Sequence, residues 1–435
     1  MQIRSTVRFG LTAGAVALLT AGCLSSGGGG GGSNNTSSTI SLMYGFTGNQ
    51  DKDFQKVVKA WASKNNITVK FAPSPDFNNL INTKVAGNQL PDVAMFPQPG
   101  IMASIAEKGK LADLSSVLDM NDLKTNFVPG ELEAGQVNGK QYAVLASANI
   151  KSIVYYPKKA ASAAGITTPP ATFDDLLALS QKIKATGATP WCFGIENGSA
   201  TGWPATDWVE NLMLIDYGSD VYNQWVQHKI PFNDPKVLAV TDQIQKLLLD
   251  PGEVNGGRKS IASNNFGTAG NVMFNTPPGC YMYRQGNFLA QPGFFPTKVL
   301  ADVDNTIGVF PMPGKTADSH PVEGGGDMAG LFSKDNPSAK KLMKYLTSKE
   351  FGDAMAPLGW YLSPRKDVDT TKYPNKLTQQ FAQINNAATE FVFDGSDQMP
   401  GAVGSGSFWK EMVTWISGGE TAKQALDNIE ASWPK

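Results

Sequence analysis

The chain has 435 residues, with 37 basic and 38 acidic side chains and only 17% charged residues. This length is enough for two or three domains with cores of their own. The balanced charge and the lack of a Lys/Arg cluster exclude a nucleic-acid-binding surface, and no apolar run reaches the length of a membrane-spanning helix.

The N-terminus, residues 1–22, has the pattern of a secretion signal. Arg4 and Arg8 precede an uncharged run, Leu11 to Thr20, which ends at Ala21-Gly22 before Cys23. The segment resembles a bacterial lipoprotein signal, in which Cys23 becomes the lipidated first residue and anchors the protein to the outer face of a membrane. Thr20 departs from that pattern, where leucine is usual. The alternative is ordinary secretion with Cys23 removed.

Residues 23–38 are expected to form a flexible tether. Gly27 to Gly32 are consecutive glycines, and Ser, Asn and Thr surround them, so the segment has nothing to bury. From Cys23 onward the chain carries 35 basic and 38 acidic residues, a formal charge of −3.

Two cysteines, Cys192 and Cys280, remain beyond the signal. An oxidising compartment favours a disulfide between them, and two buried thiols are the alternative. A catalytic thiol is not expected, because only His228 and His320 are available as its base. The same scarcity of histidine argues against a metal site, and we expect no cofactor.

The first 60 residues after the tether alternate strands and helices. The patterns predict strands at Ile40–Phe46, Ile67–Phe71 and Asp92–Phe96, with helices at Asp51–Asn65 and Phe77–Ala86. This order implies parallel strands with helical crossovers. Ligands bind at the carboxyl ends of such strands, so the loops holding Phe46, Thr47 and Gln98 become candidate site residues.

The remaining chain mixes short strands with helices and ends in a helical third. Strands are expected at Ile153–Tyr156, Val272–Phe274, Cys280–Tyr283, Thr306–Phe310 and Met328–Phe332, with a Gly324–Asp327 loop before the last. Helices are expected at Phe173–Ala185, Asp207–Tyr217, Val221–His228, Pro235–Leu249, Ser338–Ser348, Phe351–Ala356, Lys376–Asn386, Phe408–Ser417 and Thr421–Trp433.

Several stretches resemble the extracellular solute-binding proteins of bacterial ABC sugar importers, the maltose-binding-protein-like group. They are Leu90-Pro91-Asp92-Val93, Ile153-Val154-Tyr155-Tyr156, Ala164-Gly165-Ile166 with Pro169–Leu176, Gly326-Asp327 and Gly406-Ser407-Phe408-Trp409. The segments Gly202–Glu210 and Pro277–Tyr281 look like the α-glucoside-type binders.

The resemblance implies an α/β protein with the two-lobed type II periplasmic-binding fold, a hinge between the lobes and a helical C-terminal segment. We expect residues 39–152 and 311–364 to form lobe 1, and residues 153–310 and 365–435 to form lobe 2. The ligand would lie in the cleft between them.

A sugar cleft needs carboxylates and amides for its hydroxyls and aromatic faces for its C–H surfaces. Trp203 and Trp409 are expected to stack on the ligand, and Asp207 and Asp327 to accept its hydroxyls. Each has a structural alternative: core packing for the tryptophans, a helix cap for Asp207 and a turn for Asp327. Further candidates are Asn149, beside the first hinge strand, Tyr281, and Arg365, for which a hinge salt bridge is the alternative.

The function expected from this resemblance is capture of a small carbohydrate, an α-glucoside or another oligosaccharide, by a monomer that delivers it to the transmembrane subunits of an ABC permease. The chain is not expected to be an enzyme. The alternative is a membrane-anchored glycoside hydrolase, with Asp207 and Asp327 as paired carboxylates. Metal uptake and peptide binding are weaker alternatives.

Overall fold

The computed structural model describes residues 38–434 except 163, 165 and 167. The predicted signal, Cys23 and nearly all of the predicted tether therefore lie outside the described residues. Within the described part of the chain, no helix combines the length and apolarity needed to cross a bilayer.

The strands occupy apolar and β-branched segments, most of them buried. Their bounds are β1 Thr39–Tyr44, β2 Thr68–Pro73, β3 Val93–Phe96, β4 Gln136–Val137, β5 Lys140–Gln141, β6 Ala143–Ile150, β7 Ile153–Pro157, β8 Tyr283–Gln285, β9 Ile307–Pro311, β10 Pro321–Leu331 and β11 Glu390–Phe393.

The helices present apolar stripes to these sheets, and several begin with a side-chain cap such as that of Thr172. Their bounds are α1 Gly48–Lys64, α2 Phe77–Ala86, α3 Pro99–Glu107, α4 Met120–Asn126, α5 Lys158–Ala161, α6 Phe173–Ala185, α7 Trp203–Val226, α8 Pro235–Ile244, α9 Arg258–Ile261, α10 Thr297–Leu300, α11 Val303–Thr306, α12 Pro337–Leu346, α13 Lys349–Met355, α14 Lys376–Asn386, α15 Gly395–Gln398, α16 Trp409–Ser417 and α17 Ala422–Ala431.

The larger sheet defines the first lobe. Its strand order is β11-β10-β3-β1-β2, with β6 also paired to β10. Strand β1 runs parallel to both β2 and β3, which confirms the predicted β-α-β-α-β arrangement. Strand β10 is antiparallel to β3 and β6. The carboxyl ends of β1, β2 and β3 therefore open at one edge of the sheet.

The second lobe contains the three-stranded antiparallel sheet β8-β7-β9 and the helices that pack on it. The chain enters this sheet directly after β6, through Lys151 and Ser152, and leaves it between β9 and β10. Cys192 and Cys280 form a disulfide within this lobe, which confirms the expected bond.

The expected assignment of residues 365–435 to the second lobe does not hold for strand β11. Strand β11 pairs in parallel with β10 in the large sheet, whereas helix α14 before it packs on the second-lobe sheet, with the rings of Phe381 and Tyr155 6.2 Å apart. From about residue 394 onward the chain does pack with the second lobe, where Val403, Phe408 and Met412 join its core.

Two local predictions also need correction. Residues Ala269–Phe274 form a 3-10 helix rather than a strand. The predicted Gly324–Asp327 loop lies inside strand β10, because the glycines permit close contact with β6. A Cβ atom at Gly324 would lie 2.3 Å from the carbonyl oxygen of Asn149, and one at Gly326 would lie 1.9 Å from that of Ser147.

Candidate ligand-binding cleft

A cavity of about 390 Å³ opens where the strand ends of the first lobe face a loop of the second lobe. Its volume lies within the range of about 300–1,000 Å³ common for small-molecule sites. Only two lining residues, Phe288 and Gln291, come from the second lobe. The cavity is lined by Gly45, Phe46, Gln50, Pro75, Asp76, Phe77, Asn78, Pro97, Ser147, Asn149, Phe288, Gln291, Asp327 and Trp360.

Asp327 supplies a carboxylate to this cavity from the middle of the large sheet. It pairs with Ser147 of β6, and the pairing register shifts between Asp327 and Met328. Such a bulge redirects a side chain out of the regular sheet. Among the described residues the Asp327 carboxylate has no hydrogen-bond or ion-pair partner, and desolvation raises its pKa to about 7. Asn149 lies two residues beyond Ser147 on the same strand.

Aromatic rings form two walls of the cavity. Phe46, which follows β1, packs edge-on against Trp360 with ring centroids 5.2 Å apart. On the second-lobe side, Phe288 contacts Trp203 at 6.0 Å, and Trp203 in turn contacts Phe266 at 4.9 Å. The walls suit a ligand with apolar C–H faces, while Asp327 and the amides suit its hydroxyl groups.

Two buried polar atoms of lining residues lack partners in the described part of the chain. They are the indole nitrogen Nε1 of Trp360, a donor, and the amide oxygen Oδ1 of Asn78, an acceptor. Trp360 is held in place by its neighbour, since Tyr361 donates to the carbonyl oxygen of Ala146 at 2.9 Å. Gln291 also donates to the carbonyl of Gly359 at 3.1 Å, which joins the second-lobe loop to the Trp360 loop.

Gln98 lies behind the cavity wall instead of lining it. It accepts a hydrogen bond from Asn78 Nδ2 at 2.8 Å and donates one to Asp397 Oδ1 at 2.7 Å. Desolvation, reinforced by the nearby Asp394 carboxylate, raises the pKa of Asp397 to about 7. The cavity wall is thus linked by hydrogen bonds to the segment that follows β11.

Trp203 and Trp409 are half-buried and adjacent to each other, but neither lines the cavity. Trp203 begins α7 after Gly202, whose φ of +118° favours glycine. A Cβ atom at Gly202 would lie 2.5 Å from the carbonyl oxygen of Trp409. Trp409 donates from Nε1 to the Ser396 hydroxyl at 3.3 Å. Thr47, at the start of α1, does not line the cavity either.

The expectation that Asp207 accepts sugar hydroxyls is not met in this structure. Asp207 is fully buried. Its Oδ1 lies 3.1 Å from Lys151 Nζ, and its Oδ2 lies 3.2 Å from Arg284 Nη1. Its carboxylate forms ion pairs with cations from other elements. The position of Asp207 at the start of a helix did not predict these pairs.

This ion cluster joins the two lobes. Lys151, between β6 and β7, also pairs with Asp394 after β11 and lies 3.9 Å from Glu323 of β10. Arg284 of β8 pairs with Glu323 as well. Burial alone would lower the pKa of Lys151, but the surrounding carboxylates outweigh it and raise that pKa. Lys151 therefore remains charged across the neutral range.

Carboxylate oxygens of Asp207, Glu210, Glu323 and Asp394 lie within 4.8 Å of one another. We assign them no metal, because Lys151 and Arg284 already pair with three of them. The fourth, Glu210, accepts hydrogen bonds from the backbone amides of residues 395 and 396. Desolvation and its acidic neighbours raise the pKa of Glu210 well above its usual range.

Arg365 and Tyr281 lie away from the cavity. The Arg365 guanidinium pairs with Asp122 and Asp367, within the first lobe, instead of bridging the hinge. Tyr281 is half-buried against the core of the second lobe, and its backbone amide donates to the carbonyl of Pro190.

The predicted residues Phe46, Asn149 and Asp327 do line the cavity, but several lining residues were missed. The segment after β2 contributes Asp76 and, in the first turn of α2, Asn78, and the strand-end rule applied to β2 would have found them. Other missed residues, including Trp360 and Phe288, come from loops whose position depends on tertiary packing.

Known proteins with similar sequences identify the family of this chain. Residues 47–352 match the model of the bacterial extracellular solute-binding protein family. The chain belongs to that family. It is 38% identical over 398 residues to the osmoprotective compounds-binding protein GgtB of Synechocystis sp., covering 91% of this chain and 92% of that protein. It is 32% identical to the alpha-glucosides-binding periplasmic protein AglE of Rhizobium meliloti, covering 91% and 87%.

Solved structures agree on the fold. The bacterial solute receptor AcbH superposes with a TM-score of 0.76 at 18% identity, covering 91% of this chain and 98% of that one. Apo RafE from Streptococcus pneumoniae gives 0.70 at 19% identity, covering 91% and 97%. This solute-binding protein therefore has the two-lobed type II fold, and its family members are extracellular binding proteins of ABC sugar transporters.

Proposed function

We propose that this protein captures an uncharged carbohydrate, an α-glucoside or another small oligosaccharide, in the 390 Å³ cavity. The observation that carries the proposal is Asp327, whose carboxylate has no partner among the described residues and lines the cavity together with Phe46, Phe288 and Trp360. A charge-assisted hydrogen bond to a ligand hydroxyl contributes about 1.5–3 kcal/mol, and the aromatic rings bury the apolar faces of the sugar.

The lining also bears on ligand charge. It includes the carboxylates of Asp76 and Asp327 but no Lys or Arg among the described residues. An acidic sugar would bring a further negative charge without a cation to compensate it, which is costly in a partly dehydrated site. The name of AglE refers to α-glucosides, which are polyhydroxylated ligands of the proposed class.

Delivery and anchoring complete the proposal. Closure of the lobes around the sugar would mark the loaded, monomeric protein for the transmembrane subunits of an ABC permease.

Lipid on Cys23 would hold the protein at the outer face of the cell membrane. Radiolabelled palmitate incorporated by the wild type, and not by Cys23→Ala, tests this anchor; labelling of neither chain would favour ordinary secretion.

Calorimetry with maltose, trehalose, sucrose, raffinose and glucose tests the binding function, with maltobionate as the acidic counterpart of maltose. We expect micromolar binding of at least one neutral sugar and none of maltobionate. Asp327→Asn should weaken that binding by about tenfold or more, since it removes the charge from the hydrogen bond. Asp335→Asn, on an exposed loop, is the matched control and should bind like the wild type.

The wild type and Asp327→Asn also distinguish sugar binding from the alternative of glycoside hydrolysis. Release of reducing sugar from the oligosaccharides, lost in Asp327→Asn, would indicate catalysis instead of transport. The structure weakens that alternative, because Asp207, its second carboxylate, is buried in ion pairs outside the cavity. The family relatives are binding proteins and not enzymes.

A further inference from the structure

The two unpartnered polar atoms of the cavity wall are complementary in kind. Trp360 Nε1 can only donate a hydrogen bond, and Asn78 Oδ1 can only accept one. Buried polar atoms in folded proteins nearly always have a partner, so each exception calls for an explanation. Here both atoms belong to residues lining one cavity, although Asn78, in the first turn of α2, and Trp360 lie nearly 300 residues apart in the chain.

The hydrogen-bond chain behind the wall fixes the orientation of the Asn78 amide. Gln98 directs its NH₂ group to Asp397 Oδ1, which accepts the hydrogen bond at 2.7 Å. Gln98 then presents its oxygen to Asn78, and Asn78 must direct its NH₂ group to Gln98. The acceptor Oδ1 is then without a partner in the described part of the chain and is left for the ligand. The residues themselves thus select which end of the amide is available.

We propose that Trp360 and Asn78 select the hydroxyl pattern of the bound carbohydrate. Trp360 Nε1–H donates to a ligand oxygen, and Asn78 Oδ1 accepts from a ligand hydroxyl. Gln98 is a positioning residue that acts through Asn78. This inference rests on the proposed function and extends it, because Asp327 explains affinity for hydroxyl groups in general, while a donor and an acceptor at fixed places discriminate among sugars.

Trp360→Phe is the most direct test of the donor. Phenylalanine retains an aromatic ring against Phe46 and removes only the N–H group and part of the indole. Trp225→Phe is a matched control, since Trp225 Nε1 is also buried and unpartnered but lies in the core of the second lobe, against Tyr222 and Phe232. Both variants are titrated with the five neutral sugars, and thermal unfolding is followed for each.

We expect Trp360→Phe to weaken binding of the best sugar about five- to twentyfold and to change the ranking of the panel. Trp225→Phe should leave both affinity and ranking unchanged. A wild type that binds sugar, with Trp360→Phe binding it equally well and in the same order, would overturn the inference while leaving the proposed function standing. A wild type that binds none of the sugars would overturn both this inference and the proposed function.

A double-mutant cycle tests the role of Gln98. We expect Gln98→Leu to weaken binding several-fold in the wild-type background, because the Asn78 amide is then free to rotate. In the Asn78→Ala background the same substitution should have no effect on affinity, since its only route to the ligand is gone. A purely structural role of Gln98 predicts equal losses in both backgrounds, and that result would refute the positioning assignment.

Discussion

Replacing Lys151 by methionine should strongly destabilise the protein. The lysine side chain is only 11% exposed and pairs with Asp207 at 3.1 Å, with Asp394, and with Glu323 at 3.9 Å. Methionine has a similar length but no charge, so Asp207 and Glu323 would keep Arg284, while Asp394 would lose its ion-pair partner among the described residues. Breaking a buried ion pair from one side costs about 3–5 kcal/mol, and we expect a loss in this range.

Equilibrium unfolding in urea at pH 7.5 measures this loss as a shift of the midpoint at unchanged slope. Lys423→Met is the control, because Lys423 pairs with Asp427 at 2.7 Å on an exposed helix and is 69% exposed. Its loss should be at most about 0.5 kcal/mol. Because burial already raises the pKa values of Asp207 and Glu323, the deficit of Lys151→Met should shrink as the pH is lowered from 8 to 5. A deficit below about 1 kcal/mol, or one independent of pH, would refute the idea that the cluster holds the lobes together.

Two predictions concern pH. Burial raises the pKa of Asp327 to about 7, and ligand hydroxyls that donate to the carboxylate favour its ionised form. Sugar affinity should therefore rise severalfold from pH 5 to pH 8 in calorimetry and should be flat in Asp327→Asn; an equal slope in both proteins would contradict the assignment. Glu131 is fully buried, and desolvation raises its pKa from 4.5 to about 8 despite its hydrogen bond from the Val128 amide at 2.8 Å. A raised pKa in the folded state means that stability is lost as the pH rises toward and through 8, by at most about 5 kcal/mol. Glu131→Gln should remove this loss in urea titrations at pH 5 and pH 9, and a wild type equally stable at both would contradict the prediction.

The parallel core of the first lobe could be predicted from the sequence because its signals are local. Helix Phe77–Ala86 and helix Phe173–Ala185 were predicted at their observed bounds. Strand β6 was missed, since its sequence AVLASANI has no polar alternation and is buried on both faces. Only the end of strand β10, from Met328, was predicted, because the glycines before it are typical of a loop. In the structure these glycines allow the backbone of β6 to approach closely.

The candidate site was predictable only where strand topology decides it. Phe46 lies at the end of a predicted strand and could be anticipated, whereas Asn149 was a candidate because of the family resemblance and its place before the predicted strand at Ile153. The ion pairs of Asp207 and Arg365 involve residues far away in the sequence, such as Arg284 and Asp122. No local sequence pattern predicts those ion pairs. Trp360 lay in a segment with no assigned element, and only tertiary packing brings it to the cavity.

The most direct test of the central claim is a crystal structure of the protein grown with the sugar that binds it most tightly in calorimetry. We predict density for the sugar in the cavity between Trp360 and Phe288, with a hydroxyl within hydrogen-bond distance of the Asp327 carboxylate. Sugar bound elsewhere, with this cavity filled only by water, would contradict the account.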